Sequence, residues 1–279
     1  MAKEQLIEVF NDTQNFYNTD EILKQAVKNS IDATIFYNAE NYPALPAKKF
    51  DATKISVNKY RTFETAFYLS KHNPNSKIAV HNFASATNPG GGVLRGSRAQ
   101  EEALCRCSTL YPVLNTEENF QRYYKFHKDR RNTIYTDACI FSPNIIVFKS
   151  DTDNPQRLPQ KNWIKIDVIT CAAPNLRERP NNLYNPGNSV PTKISDTELL
   201  KIHEKRARHM LTILAANGVD IFVTGAFGCG AFKNNPKIVA QAYKNILPEF
   251  DGHFKEIVFA VYCSPRDTQN FDAFKKILA

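Results

Sequence analysis

Six short segments of this chain are rich in apolar residues, and helical patterns lie between them: Lys54 to Val57, Lys77 to Phe83, Ile145 to Phe148, Trp163 to Thr170, Ile221 to Thr224 and Ile257 to Tyr262. Several are too continuously apolar to leave one face in water, so they belong in the middle of a sheet covered on both sides. The clearest helix between them runs from about Thr197 to Asn217. Ser195 and Glu198 form a capping box, Leu199, Leu200, His203, Ala207, Met210, Leu211 and Leu214 make one stripe, and Gly218 ends it. His203 reads as a histidine packed on that stripe, not as a ligand. Strands and helices in alternation predict an α/β fold with a largely parallel sheet.

At 279 residues and 42% hydrophobic, the chain has material for one large domain plus an appendage. From Gln5 to about Asn38 the apolar residues recur at helical spacing (Leu6, Val9, Phe10, then Ile22, Leu23, Ala26, Val27), with Thr19 or Asp20 placed to cap a second helix. NYPALPAKK carries two prolines and should be irregular. Residues 1–50 therefore read as a helical accessory segment and 51–279 as the main domain. The stretches from Asp151 to Pro159 and from Arg177 to Pro191 read as polar loops.

The net charge of +8 suits a polyanionic partner but is common in ordinary soluble enzymes. Cys105, Cys107, Cys139, Cys171, Cys229 and Cys263 are scattered without a C-x-x-C pair, which fits reduced thiols and no metal site. The first residues, MAKEQLIEVFNDTQ, lack the apolar core of a secretory signal, and no apolar run approaches the ~20 residues that cross a bilayer. A cytoplasmic protein with no membrane contact is the expectation.

Two glycine-rich loops each follow a predicted buried strand, where open α/β sheets place their ligand crevice. The first is Asn88-Pro89-Gly90-Gly91-Gly92. The second is Gly225-Ala226-Phe227-Gly228-Cys229-Gly230-Ala231-Phe232. Neither fits the phosphate loop of ordinary nucleotide hydrolases or the dinucleotide fingerprint, since Lys233 precedes Asn234 and no convincing acid follows about 20 residues on. Both are expected to hold phosphates with backbone N–H groups, with Phe227 and Phe232 as flat neighbours for a base or ribose. Gln100-Glu101-Glu102 opens a helix expected to run to Tyr111, ending near Pro112. Adjacent helical residues point about 100° apart, so the two glutamates cannot flank one bond as an ordinary glycosidase pair does. One should act while the other holds substrate, and the acting carboxyl should carry a raised pKa in the substrate complex.

These residues resemble the poly(ADP-ribose) glycohydrolases of bacterial type. The resemblance rests on GGG-x7-QEE at Gly90 to Glu102, on NFASATNPG before it, on TCAAPNL (Thr170 to Leu176) and on GAFGCGAFKNNP (Gly225 to Pro236). It implies a macrodomain-like three-layer α/β/α fold with a central mixed, largely parallel sheet and an N-terminal helical extension. It also implies hydrolysis of the ribose–ribose O-glycosidic bond of poly(ADP-ribose), mainly from chain ends, releasing ADP-ribose through an oxocarbenium-like sugar. Glu102 would be the acid and Glu101 a holder of substrate hydroxyls. Asn88, Gly90, Gly91 and Gly92 would line the distal ribose and Gln100 would also bind ligand, with Asn82 bracing the loop. Gly225, Ala226, Phe227, Gly228, Cys229, Gly230 and Phe232 would wrap the pyrophosphate and its neighbours. The implied partners are ADP-ribose and its polymer, attached to modified proteins, with no cofactor, no metal and no obligate nucleic acid, and the chain as a monomer. The alternatives are removal of single ADP-ribose units from protein or nucleic acid, and a reader that binds ADP-ribose without cleaving it.

Overall fold

The computed structural model of the chain describes residues 1–41, 43–181 and 191–279. Tyr42, in the irregular NYPALPAKK stretch, and residues 182–190, in the loop read from Arg177 to Pro191, lie outside the described residues. Apolar spacing builds α1 (Lys3–Thr19) and α2 (Glu21–Asp32), and of the two candidate caps it is the Asp20 carboxylate that accepts from the Leu23 amide, at 3.0 Å. Then follow β1 (Ile35–Tyr37), β2 (Lys54–Asn58), α3 (Thr62–His72), β3 (Ile78–Phe83), α4 (Gln100–Cys107) and α5 (Leu110–Leu114). The short α6 (Glu117–Asn119) runs through a wider π-type turn into α7 (Phe126–Arg130). The second half consists of β4 (Cys139–Val147), β5 (Ile164–Cys171), α8 (Asp196–Ala216), β6 (Ile221–Thr224), α9 (Pro236–Ile246), β7 (Glu256–Ala260) and α10 (Gln269–Leu278).

The strands form one seven-stranded sheet in the order β1-β4-β5-β3-β6-β7-β2. It is parallel from β5 to β2, whereas β4 pairs antiparallel with β5 and β1 antiparallel with β4. Strand periodicity divides the core. Ile78 and Val80 face a layer with Phe63, Leu69 and Leu104, whereas Ala79 and Phe222 face one with Met210, Leu214, Tyr243 and Phe274. Helices thus cover both faces, and each fully buried Leu, Ile or Phe contributes about 1.5–3 kcal/mol. Because β3 lies between β5 and β6, in register at Val80↔Val168 and Val80↔Val223, the segments leaving the C-terminal ends of these strands emerge side by side.

Three elements differ from expectation. The helix opened by Gln100 breaks at Ser108, because Thr109 donates to the Ile146 carbonyl and the amides of Phe148 and Lys149 donate to Cys107, tying the chain to the end of β4. Pro112 falls in the first turn of α5, where a missing N–H costs nothing. The strand expected at Ile145 to Phe148 is the last part of a longer one, interrupted by a bulge between Ser142 and Ile145 that accommodates Pro143 and a left-handed Asn144. Residues 35–37 form an edge strand inside the segment read as helical, and β2 lies at the opposite edge.

Candidate active site

The two glycine-rich loops and the start of α4 enclose a cavity of about 720 Å³ at the C-terminal ends of β3, β5, β6 and β7. α4 is fixed to β3 by Gln100. Its side chain accepts from the Phe83 amide at 2.9 Å and donates to the His81 carbonyl at 2.6 Å and the Thr62 hydroxyl at 3.1 Å, prolonging the ladder with a side chain. The amide expected to meet ligand is therefore committed to holding the helix.

The first glycine loop binds anions, and they are the protein's own. Glu101 accepts from the Ser85 amide at 2.7 Å, from Asn82 Nδ2 at 3.2 Å and from the Gly90 amide, while Glu102 Oε1 accepts from the Gly92 amide at 2.8 Å. The Gly91 amide turns to the Asn88 carbonyl at 3.0 Å. Contrary to the expectation of a phosphate cradle, these N–H groups are spent on two carboxylates. The glycines allow it by conformation and by space. Gly90 and Gly91 have φ of +65° and +60°, and a Cβ on Gly91 would lie 2.6 Å from Glu102 Oε1 and 3.0 Å from Glu101 Oε2. A Cβ on Gly90 would lie 2.7 Å from the ring of Tyr111, which itself meets Phe10 of α1 edge-on at 5.1 Å.

Both glutamates are buried, and burial together with the neighbouring Glu102 charge pushes the Glu101 carboxyl well above its usual range, against the pull of its hydrogen bonds to Ser85, Asn82 and Gly90. Glu102 Oε2 is buried without a hydrogen-bond partner.

The second loop keeps its donors. The amides of Gly228, Gly230 and Ala231, all on the cavity wall, have no acceptor within the described protein, while those of Phe227, Cys229, Lys233 and Asn234 close the loop on itself. Asn234 holds the turn by donating to the carbonyls of Pro174 (2.7 Å), Gly228 (3.1 Å) and Phe232 (3.3 Å), and its Oδ1 meets His203 Nε2 at 2.8 Å. His203 is thus a packed residue that braces the loop. Phe227 is only 1% exposed, with its ring centroid 4.4 Å from that of His81 and 5.8 Å from that of His203, so it forms the floor. Phe232 is more open and faces Tyr135 and Arg177.

Of the expected site residues, Asn88, Gly91, Gly92, Gln100, Glu101, Glu102, Ala226, Phe227, Gly228, Gly230 and Phe232 line this one cavity. Gly90, Gly225 and Cys229 stand behind its wall. Gly225 is where β6 passes β7, since a Cβ there would lie 2.4 Å from the Ala260 carbonyl oxygen, and the Cys229 thiol turns to the Phe227 carbonyl at 3.6 Å. Among the described residues no group of three or more His, Cys, Asp or Glu clusters as metal ligands do.

A family model described as microbial-type PARG, catalytic domain, matches residues 5–150. A poly(ADP-ribose) glycohydrolase from Deinococcus radiodurans, solved in complex with ADP-ribose, is 31% identical over 90% of this chain and 96% of its own, with a TM-score of 0.75. The chain belongs to the microbial-type poly(ADP-ribose) glycohydrolases. A second member of this glycohydrolase family, from Thermomonospora curvata and bound to the inhibitor ADP-HPD, is 28% identical over 98% of this chain and 99% of its own, with a TM-score of 0.82. No curated protein matches.

The glycohydrolase cavity also has walls that the sequence motifs leave out. Arg61, Arg95, Arg98 and Arg177 bring positive charge to it, and the Arg61 guanidinium stacks 4.1 Å from the ring centroid of Tyr262, a half-exposed side chain just beyond β7. Arg95 and Arg98 lie inside GGGVLRGSRAQEE and were there to be noticed. Arg61 and Tyr262 come from segments two hundred residues apart and carry no local signal.

Proposed function

We propose that this chain removes ADP-ribose from the ends of poly(ADP-ribose) by hydrolysis of the ribose–ribose O-glycosidic bond, with Glu102 as the acid. The observation that carries this reading is the Glu102 carboxyl: the Gly92 amide orients Oε1, and Oε2 is left without a protein partner on the wall of the cavity. Glu102 protonates the oxygen of the departing ribose as the bond to the anomeric carbon breaks. The positive charge that develops on the sugar is spread onto its ring oxygen, water adds to the anomeric carbon, and the water's proton returns to Glu102. Glu101, held by three N–H donors, keeps its geometry and receives substrate hydroxyls. The unpaired amides of Gly228, Gly230 and Ala231 are donors for the pyrophosphate, and the flat faces of Phe232 and Tyr262 suit the ribose and adenine.

Residues 1–50 serve as an accessory segment whose α1 backs Tyr111 and the Gly90 turn. One chain supplies every wall of the cavity, which supports a monomer, and the six free thiols support a cytosolic setting. Labelled polymer incubated with the protein should yield ADP-ribose from the first time point, without oligomers of intermediate length. Early oligomers would replace the chain-end reading with internal cleavage. Release of single units from a modified protein, with polymer left intact, would sink the polymer reading.

Gly91→Val tests the loop. The substitution combines a left-handed backbone, costing a β-branched residue about 1–3 kcal/mol, with a collision against both carboxylates. Gly218→Ala is the control, since Gly218 shares the conformation at φ +73° but a Cβ there meets nothing within 4 Å. Calorimetric titration with ADP-ribose should show affinity reduced by about tenfold or more in Gly91→Val and unchanged in Gly218→Ala. Equal affinities in the two variants would separate the glycine turn from the ligand site.

A further inference from the structure

A second and larger cavity, about 1470 Å³, runs along α3 beside the catalytic one. Asp151 lines both, and the chain steps directly from Tyr60 in the groove to Arg61 and Thr62 on the catalytic wall. Two features set this groove apart from an ordinary polar surface. Tyr60 and Tyr68 are 60% and 63% exposed, and the Tyr68 ring lies 4.1 Å from that of His72 at an interplanar angle of 30°, an aromatic platform open to solvent. The groove's charge is also unbalanced. Its acids are occupied, Glu64 by the Arg61 amide, Asp151 by the Phe63 amide and Arg61, and Glu256 by Lys54 and Ser56. Lys71 and Lys161 have no acidic partner among the described residues, and Lys255 meets only the neutral Asn73.

On the reading that the substrate is poly(ADP-ribose), a cavity of about 720 Å³ has the size of a site for one small-molecule unit, so the remaining units must cross its rim. We propose that the α3 groove seats the polymer units adjoining the one being cleaved, their adenines stacking on Tyr68 and Tyr60 and their pyrophosphates meeting Lys71 and Lys161. Stacking platforms interleaved with cations are the means by which flexible polyanions with bases are held without sequence readout. The spacing is suitable, because Tyr68 lies about 9 Å along α3 from Thr62 at the catalytic wall, and Lys71 one turn further.

The test compares ADP-ribose carrying a small aryl leaving group on its anomeric carbon, which fills the cavity and has no adjoining unit, with long polymer. Tyr68→Ala and the double variant Lys71→Glu/Lys161→Glu change exposed side chains only, and thermal melting should confirm an intact fold. The expected result is a KM for long polymer raised about tenfold in each variant, with the kinetics of the single-unit substrate unchanged. The double variant should also flatten the dependence of polymer kcat/KM on salt by roughly one unit of log–log slope. Unchanged polymer kinetics alongside normal cleavage of the single-unit substrate would overturn the groove and leave the functional reading standing. Inhibition of polymer cleavage by single-stranded DNA as strong as that by uncleaved polymer would overturn it in favour of a general nucleic-acid surface. A wild-type protein that cleaves neither substrate removes the functional reading, and the groove with it.

Discussion

Glu102→Gln should lower kcat on poly(ADP-ribose) by about a thousandfold while ADP-ribose affinity stays within about tenfold of the wild type. A general acid contributes about 10²- to 10⁴-fold, and an amide of the same shape cannot supply the proton. The amide oxygen can still accept from Gly92, so the loop and the binding site should survive. Glu101→Gln should behave differently. Its carboxylate faces the N–H groups of Ser85, Gly90 and Asn82, and an NH₂ group placed there sets donor against donor. That variant should raise KM as well as lower kcat, because the loop it holds moves with it. Steady-state kinetics with calorimetry on both variants decides the assignment, and a Glu102→Gln enzyme within tenfold of wild-type turnover would remove Glu102 from the chemistry.

The residue types of the site were legible in the sequence, but the direction of their hydrogen bonds was not. Gly90 to Gly92 and Gln100 to Glu102 stand close enough in the chain to be read as one motif, and the strands before the two glycine loops were apparent as apolar runs. Yet a glycine-rich turn presents the same N–H groups whether a phosphate or a protein carboxylate receives them. Only the docking of α4 on β3 through Gln100 turns both glutamates under the first loop and leaves the free amides to the second. The break at Ser108 was hidden for a related reason, since the competing bonds come from Ile146 and Phe148, some forty residues on. β1 is three residues long and owes its extended state to pairing with β4, so no local pattern announces it. Asn234, which ties the second loop together, could have been suspected from its place at the end of GAFGCGAFKNNP, where a turn needs a side chain able to hydrogen-bond backbone groups.

Acid should unfold this protein well above pH 4, where ordinary carboxylates protonate. His81, His127, His203 and His209 are all buried, and desolvation pulls them from the ordinary 6.5 down to about 3 for His81 and about 4 for the other three. Their folded values are depressed while the unfolded chain takes up protons near 6.5, so this stability is present above that pH and is lost as pH falls toward 4. Each contributes on the order of 3 kcal/mol over that window, so the loss from two of them approaches a typical domain stability of about 5–15 kcal/mol. Burial raises Asp151 to about 6 and raises Asp167 and Glu101 as well, and these groups work in the opposite sense, gaining stability as pH falls through their folded values. Four histidines against three carboxyls, with His81 the most strongly shifted of the four, leave the acid loss dominant between pH 6.5 and 4. His81 and His203 also flank Phe227 on the cavity floor, so activity should vanish with the fold and not before it. Urea midpoints measured from pH 8 to 4 should fall steeply below 6.5, and His127→Gln should make that slope shallower by about one proton's worth. A flat profile down to pH 4.5 would mean that these imidazoles charge without disturbing the packing around them.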